Sequence, residues 1–280
     1  MKLCLSLIIL LSVFAGCKES DDLVLKVVTF NIRYDNPADS ANAWPKRKEF
    51  AVSFLRSEKP DLFGLQEALY HQYSFLDSTL TGYSSVAAGR DDGLQKGEMT
   101  PLFYNSRMFD LQGSGTFWLS ETTAVPGSRG WGAALPRIVT WVNLKDRTSG
   151  KEIFCFNTHF SHMSDSARVM SARILYDMVR ELSGNKPFVI TGDFNMLPDS
   201  KPYAALSEDG FIRDSYTISQ SSPQGPSCTF NGFGNIIRDS RIDYIFVSSD
   251  FSVSTHSTMN LKRDGLYISD HWPVKAVIKF

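Results

Sequence analysis

Pro187-Phe-Val-Ile-Thr-Gly-Asp-Phe-Asn195 is the stretch from which the rest of the chain can be read. Phe188, Val189 and Ile190 make a short continuous apolar run, the pattern of a strand buried on both faces. Gly192 is expected to break that run, and Asp193 and Asn195 follow, two residues apart. On extended backbone, positions i and i+2 project to the same side. A carboxylate and an amide therefore emerge together at the end of a buried strand, where open α/β architectures place their ligands. Taken alone, Gly-Asp-x-Asn is also ordinary turn composition. The choice rests on whether other strand ends carry similar groups.

They do. Leu23 to Ile32 reads as a strand running into Thr29-Phe-Asn-Ile-Arg33. Leu62 to Glu67 reads as a second short apolar strand with an acid at its end, although an acid there also suits the first turn of a helix. Glu152 to His159 is apolar on both faces yet ends in Asn157-Thr-His159, where a histidine is more often a satisfied core residue than a catalyst. Arg241-Ile-Asp243 opens another strand, and Asp243 could simply pair with Arg241. Ser269-Asp-His-Trp-Pro273 introduces the last strand, Val274 to Phe280.

Helices fit between these strands. Pro45 opens one that runs to about Glu58 with Phe50, Phe54 and Leu55 inward. Tyr70 to Leu80 is a second. Ser164 caps a long third, with Met170, Ile174, Leu175, Met178 and Leu182 on one stripe and Gly184 closing it. A short fourth lies near Tyr203–Ser207. Further strands are expected at Tyr83–Ala88, Pro101–Tyr104, Thr116–Leu119, Arg137–Leu144 and Phe251–Thr258. The charged, glycine-rich run Gly89 to Glu98 is a surface loop able to reach a ligand.

With 280 residues, 42% hydrophobic and 12% aromatic, the chain has material for one large core or two small ones. A formal net charge of -1 carries no basic signature for nucleic acid. Cys155, inside Ile153-Phe-Cys-Phe156, reads as a small core residue, and with Cys228 it makes neither a disulfide framework nor a zinc spacing.

Residues 1–16 read as a secretory signal: Lys2, then the apolar run Leu3 to Phe14, too short for a comfortable membrane span. Ala15-Gly16 before Cys17 resembles a bacterial lipobox, with Phe14 where Leu is usual. Lipidation of Cys17 would anchor an extracytoplasmic protein, with residues 17–22 as tether and 23–280 as the domain. Cleavage removes one of the 29 basic residues and none of the 30 acidic ones, leaving a net of -2.

Asn31, Glu67, His159, Asp193, Asn195, Asp243, Asp270 and His271 thus all fall at or beside strand ends. Carboxylate and amide oxygens are hard ligands suited to Mg²⁺. Histidines beside carboxylates suit proton transfer and oxyanion stabilisation. The inventory matches metal-assisted hydrolysis of a phosphoester.

Thr29-Phe-Asn31, Leu65-Gln-Glu67, Asn157-Thr-His159, Gly192-Asp-Phe-Asn195, Arg241-Ile-Asp243 and Ser269-Asp-His271 follow the motif order of the endonuclease/exonuclease/phosphatase superfamily. The resemblance covers the whole mature domain, and Gly115-Thr-Phe-Trp-Leu-Ser-Glu121 looks like the deadenylase-like branch. It implies the deoxyribonuclease I-like fold, a four-layer α/β sandwich of two face-to-face mixed sheets flanked by helices. It implies Glu67 as principal Mg²⁺ ligand (Mn²⁺ a substitute), with Asp270 and Asn31 completing or supporting the metal site. Asp193 would activate the attacking water and Asn195 would hold the scissile phosphate. His159 and His271 would bind phosphate oxygens, Asp243 would orient His271, and Glu98, by a looser match, would orient His159. Arg137, also by a looser match, would clamp phosphate. The substrate stays open among nucleic acid, nucleotide, inositol phosphate and phospholipid headgroup, and a monomer is expected. The alternative is a binding lipoprotein that keeps the fold without the chemistry.

Overall fold

The computed structural model describes residues 22–235 and 240–280. The leader, the tether as far as residue 21 and Cys17 lie outside the described residues. One six-stranded sheet contains β1 (Val24–Asn31), β2 (Leu62–Gln66), β3 (Tyr83–Val86), β4 (Leu102–Asn105), β11 (Ser252–Thr258) and β14 (Val274–Lys279), in the order β11-β14-β1-β2-β4-β3. The other contains β5 (Phe109–Trp118), β6 (Ile138–Asp146), β7 (Glu152–His159), β8 (Phe188–Asp193), β9 (Arg213–Asp214) and β10 (Asp243–Val247), in the order β5-β6-β7-β8-β10-β9. A small hairpin, β12 (Lys262–Arg263) with β13 (Leu266–Tyr267), stands apart.

The two large sheets share one plan. Each has a parallel pair at its centre, β1/β2 or β7/β8, and every other neighbour is antiparallel. Parallel strands need a crossover; α1 (Trp44–Glu58) supplies it in the first sheet and α3 (Asp165–Ser183) in the second. The consequence for function is geometric. The carboxyl ends of the parallel pairs and the amino ends of their antiparallel partners meet at one edge of the sandwich. Asn31 pairs with Gln66, His159 with Asp193 and Asp193 with Asp243, all in the last register positions at that edge.

Three apolar layers hold the sheets. Leu25, Val27, Leu62 and Leu102 of one sheet pack against Val142, Ile153, Cys155, Val189 and Ile245 of the other. The outer face of the first sheet (Val28, Phe30, Phe63, Phe103) is covered by Phe50, Phe54 and Leu55 of α1 and by Leu76 of α2 (Tyr70–Thr79). The outer face of the second (Phe154, Phe156, Phe188, Ile190) is covered by α3 and by α4 (Lys201–Ser207). This is a four-layer α/β sandwich.

Three local expectations shift. β8 runs through Gly192 to Asp193 instead of breaking, since a Cβ at Gly192 would come within 2.7 Å of the Thr158 carbonyl oxygen. β5 starts at Phe109, well before Thr116; it is an edge strand whose early positions alternate little and stay exposed, so no apolar period marks it. Ser164 and Gly184 do cap α3, but its most buried line is Ala167, Ser171, Leu175 and Val179. Small residues bring the helix close to the sheet, and the larger Met170, Ile174, Met178 and Leu182 flank the contact, half-buried.

Beneath the site edge the sheets are joined by polar bonds. The Asn157 side chain donates to the carbonyls of Leu65 (2.7 Å) and Pro101 (2.9 Å) and accepts from Gln66 Nε2 (2.7 Å) and Thr191 Oγ1 (3.0 Å). Gly64 leaves room for it: a Cβ there would fall 2.2 Å from Thr191 Oγ1 and 2.4 Å from Asn157 Oδ1.

Candidate active site

The shared edge forms a cleft of about 1010 Å³. Three residues lining it, Arg33, Glu67 and Asn195, hold positive φ of 59°, 61° and 48°. Each lies one or two residues beyond the end of β1, β2 or β8. Non-glycine residues rarely adopt this conformation, and where strain of this kind persists it tends to aim functional side chains. Here it turns all three away from the strand direction and into the cleft.

Glu67 and Asp193 are tied together by Asn31, whose Nδ2 donates to Glu67 Oε1 (3.1 Å) and Asp193 Oδ2 (2.9 Å). Its Oδ1 accepts from the Arg33 N–H at 2.9 Å, so Asn31 bridges the two acids and is itself held in place by the backbone beyond β1. The Arg33 guanidinium pairs with Asp39 and lies 3.9 Å from Glu67 Oε2 and 3.6 Å from Asp270 Oδ2. A positive charge already stands between these two acids.

Burial pushes the Asp193 carboxyl up to about 7, helped by Asp243 and Glu67 and opposed by His271 and Asn31. Burial also raises Asp270, again with Glu67 adding to it. Carboxylates that repel one another in a dry cleft are stabilised by a divalent cation, and ligand atoms of Glu67, Asp193 and His271 lie within 4.8 Å of one another. The donor set fits such an ion. Of the three, His271 has its Nδ1 engaged by Asp243, and Asp270 lines the same cleft.

The two histidines differ in charge. Nδ1 of His271 donates to Asp243 Oδ2 at 2.8 Å, and its Nε2 faces Asp193 Oδ2 at 3.7 Å. Burial alone would lower its proton affinity, but Asp243, Asp193 and Asp270 hold it well above the ordinary histidine value. These carboxylates favour its imidazolium form. His159 is driven the other way, by burial and by Arg137 and Arg90. Its Nε2 accepts from Asn195 Nδ2 (3.1 Å) and lies 3.5 Å from Asp193 Oδ2. One carboxylate is thus flanked by a charged ring and a neutral one.

Glu98 lies 3.8 Å from Nδ1 of His159, beyond a direct hydrogen bond, and accepts from Arg90 Nη1 at 2.7 Å. Arg137 is buried in the cleft wall with Nη2 3.0 Å from Nδ1 of His162. His162, Arg33 and Phe230, which packs edge-on against His271, also line the cleft and were not singled out from sequence. Arg33 is the one with a legible signal, since it closes Thr29-Phe-Asn-Ile-Arg33; His162 and Phe230 sit in irregular segments with no periodic or spacing cue.

Residues 28–271 match the profile of the Endonuclease/Exonuclease/phosphatase family. An endonuclease/exonuclease/phosphatase from Bacteroides vulgatus is 36% identical, with 91% of this chain and 98% of that one covered and a TM-score of 0.88. A mannosyl-6-phosphatase from Bacteroides thetaiotaomicron is 37% identical over 91% of this chain and 100% of that one, with a TM-score of 0.85. The catalytic domain of human Nocturnin, 20% identical over 92% and 95% with a TM-score of 0.72, shares the fold. The chain belongs to the endonuclease/exonuclease/phosphatase family of phosphoester hydrolases.

Proposed function

We propose that the protein is a Mg²⁺-dependent phosphatase that removes phosphate from phosphorylated sugars. The observation that carries the reading is the convergence on Asp193 of Glu67, His271 and His159, in one cleft, from four different strand ends. The choice of a sugar phosphate over a nucleic acid is supported by the likeness to a mannosyl-6-phosphatase along the whole domain and by the absence of a basic charge excess.

Glu67 and Asp270 would hold the cation, which when bound polarises the phosphate and offsets its charge. His271 donates from Nε2 to a phosphate oxygen, its charge sustained by Asp243. Asn195, whose Nδ2 donates to His159 Nε2 at 3.1 Å and to the Phe160 carbonyl at 3.2 Å, would exchange the second bond for one to a phosphate oxygen. Asp193, with a proton affinity near neutrality, accepts a proton from the attacking water. Arg33 meets the phosphate from the acidic side of the cleft. Arg137 acts on it through His162, whose Nε2 remains free to donate. The alternative of a binding protein without chemistry is disfavoured by the intact set of opposed groups. Cys17 is proposed as a lipid anchor that places the enzyme outside the cytoplasm.

Phosphate release from mannose 6-phosphate, with Mg²⁺ or with EDTA, tests the reading. Release that requires the metal supports it. Faster cleavage of single-stranded DNA, RNA or a dinucleotide than of mannose 6-phosphate would overturn the sugar assignment.

A further inference from the structure

His159 also borders a second, much smaller cavity of about 10 Å³, shared with Arg90, Glu98, Thr100 and Arg137. Four buried nitrogens of these residues have no hydrogen-bond partner within the protein: Nε of Arg90, Nε and Nη1 of Arg137, and Nδ1 of His159. Buried polar atoms in folded proteins are nearly always paired, with protein or with ordered water. Four such atoms around one small space call for an occupant.

Proton accounting identifies its chemistry. The Asn195 Nδ2 group can only donate, so Nε2 of His159 is an acceptor and the proton of the neutral ring lies on Nδ1. That N–H, with those of the two arginines, needs an acceptor. Glu98 Oε2 faces Nδ1 at 3.8 Å, too far for a direct bond and suited to an intervening group. A cation is excluded by the two guanidinium groups. A halide would accept every proton but would stand against the Glu98 carboxylate. A water accepts from two of the donors, Nδ1–H of His159 and one guanidinium N–H, and donates to Glu98, and about 10 Å³ is the space one water needs.

We infer that this cavity is a single-water site, in which a water accepts from Nδ1–H of His159 and from one guanidinium N–H of Arg90 or Arg137, and donates to Glu98. The link between Glu98 and His159 is water-mediated. Arg90 is a positioning residue that touches neither metal nor substrate. The water fixes the tautomer of His159 so that its Nε2 lone pair faces Asp193 and Asn195, while His271 presents an N–H to the same carboxylate. This holds whatever phosphoester the cleft takes.

Two measurements on the full domain test it. A high-resolution crystal structure grown in sodium bromide should show one ordered water bonded to His159 Nδ1, Glu98 and at least one of the arginines, without an anomalous bromine peak. A direct Glu98–His159 bond that closes the cavity, or a bromine peak inside it, overturns the inference. Long-range ¹H–¹⁵N spectra should place the His159 proton on Nδ1 in the wild type; a proton on Nε2 overturns it. In Arg90→Met, checked to be folded by its melting curve, the Nδ1–H to Nε2–H ratio should fall about fivefold, the weight of one hydrogen bond. An unchanged ratio in a folded variant removes Arg90 from the site. The wild-type spectrum and crystal structure decide the water itself even if the variant does not fold.

Discussion

Asp243 Oδ2 lies 2.8 Å from Nδ1 of His271, while Arg241, two residues earlier, turns to Asp214 at 2.7 Å. Strand alternation would put residues 241 and 243 on the same side, yet β10 begins only at Asp243, and Arg241 swings across the end of the sheet toward β9. The carboxylate is thereby left to the histidine.

Asp243→Asn should therefore lower turnover nearly as much as His271→Ala, on the order of a hundredfold. The double variant should be little worse than either single one, because the two act as a unit. Melting temperature of Asp243→Asn, measured on the same sample, should change little, since Arg241 keeps Asp214. A strongly destabilised variant with full turnover per folded molecule contradicts this.

Glu67→Gln should raise the Mg²⁺ concentration needed for half-maximal activity, because it removes a charge from the metal-facing oxygens. High Mg²⁺ should restore part of the rate. Equal inactivity at every concentration, with unimpaired metal binding by calorimetry, would assign Glu67 elsewhere.

Gly64→Ala tests the polar seam under the cleft. The added carbon collides with both Thr191 Oγ1 and Asn157 Oδ1, neither of which can move without breaking buried bonds. A loss of about 3 kcal/mol in urea denaturation is expected. A loss under about 1 kcal/mol would mean the sheets separate easily there.

His256 supplies a pH test away from the cleft. Its ring is buried, with Nδ1 2.9 Å from Ser215 Oγ, and burial, then Arg241, push it down to about 3. The unfolded chain takes up the proton first, near pH 6.5. The contribution is complete above that value and is lost as pH falls toward 3, by up to about 1.4 kcal/mol per pH unit. Asp193 and Asp270, both raised, act in the opposite sense, so the difference between wild type and His256→Gln is the measure. Urea unfolding between pH 7 and 4 should give a shallower acid loss in the variant; parallel curves would show that His256 does not titrate on unfolding.

Cys17→Ser should release the protein from the membrane fraction into the soluble extracytoplasmic fraction. Several acyl chains bind firmly where one binds marginally. Wild-type protein already soluble after secretion would end the anchoring proposal.

Periodicity and strand-end chemistry by themselves determined which segments are buried strands and helices and which polar residues stand at their ends, while the four-layer plan was implied by the resemblance of six motifs to a known superfamily. An apolar run such as Phe188–Ile190 has to be buried, and a polar pair just beyond it has to surface at a strand end. Local rules of this kind reach a few residues. They place Glu67, Asp193 and His271 at strand ends without saying that those ends coincide. Only the sheet topology, two parallel pairs each flanked by antiparallel neighbours, brought them to one edge. Tertiary structure also decided the partners. Asn31 faces the acids with its nitrogen, Arg137 meets His162, and Glu98 stops short of His159. It drove the two histidines in opposite directions as well, because burial and the summed field of carboxylates and guanidinium groups depend on distances between residues far apart in the chain.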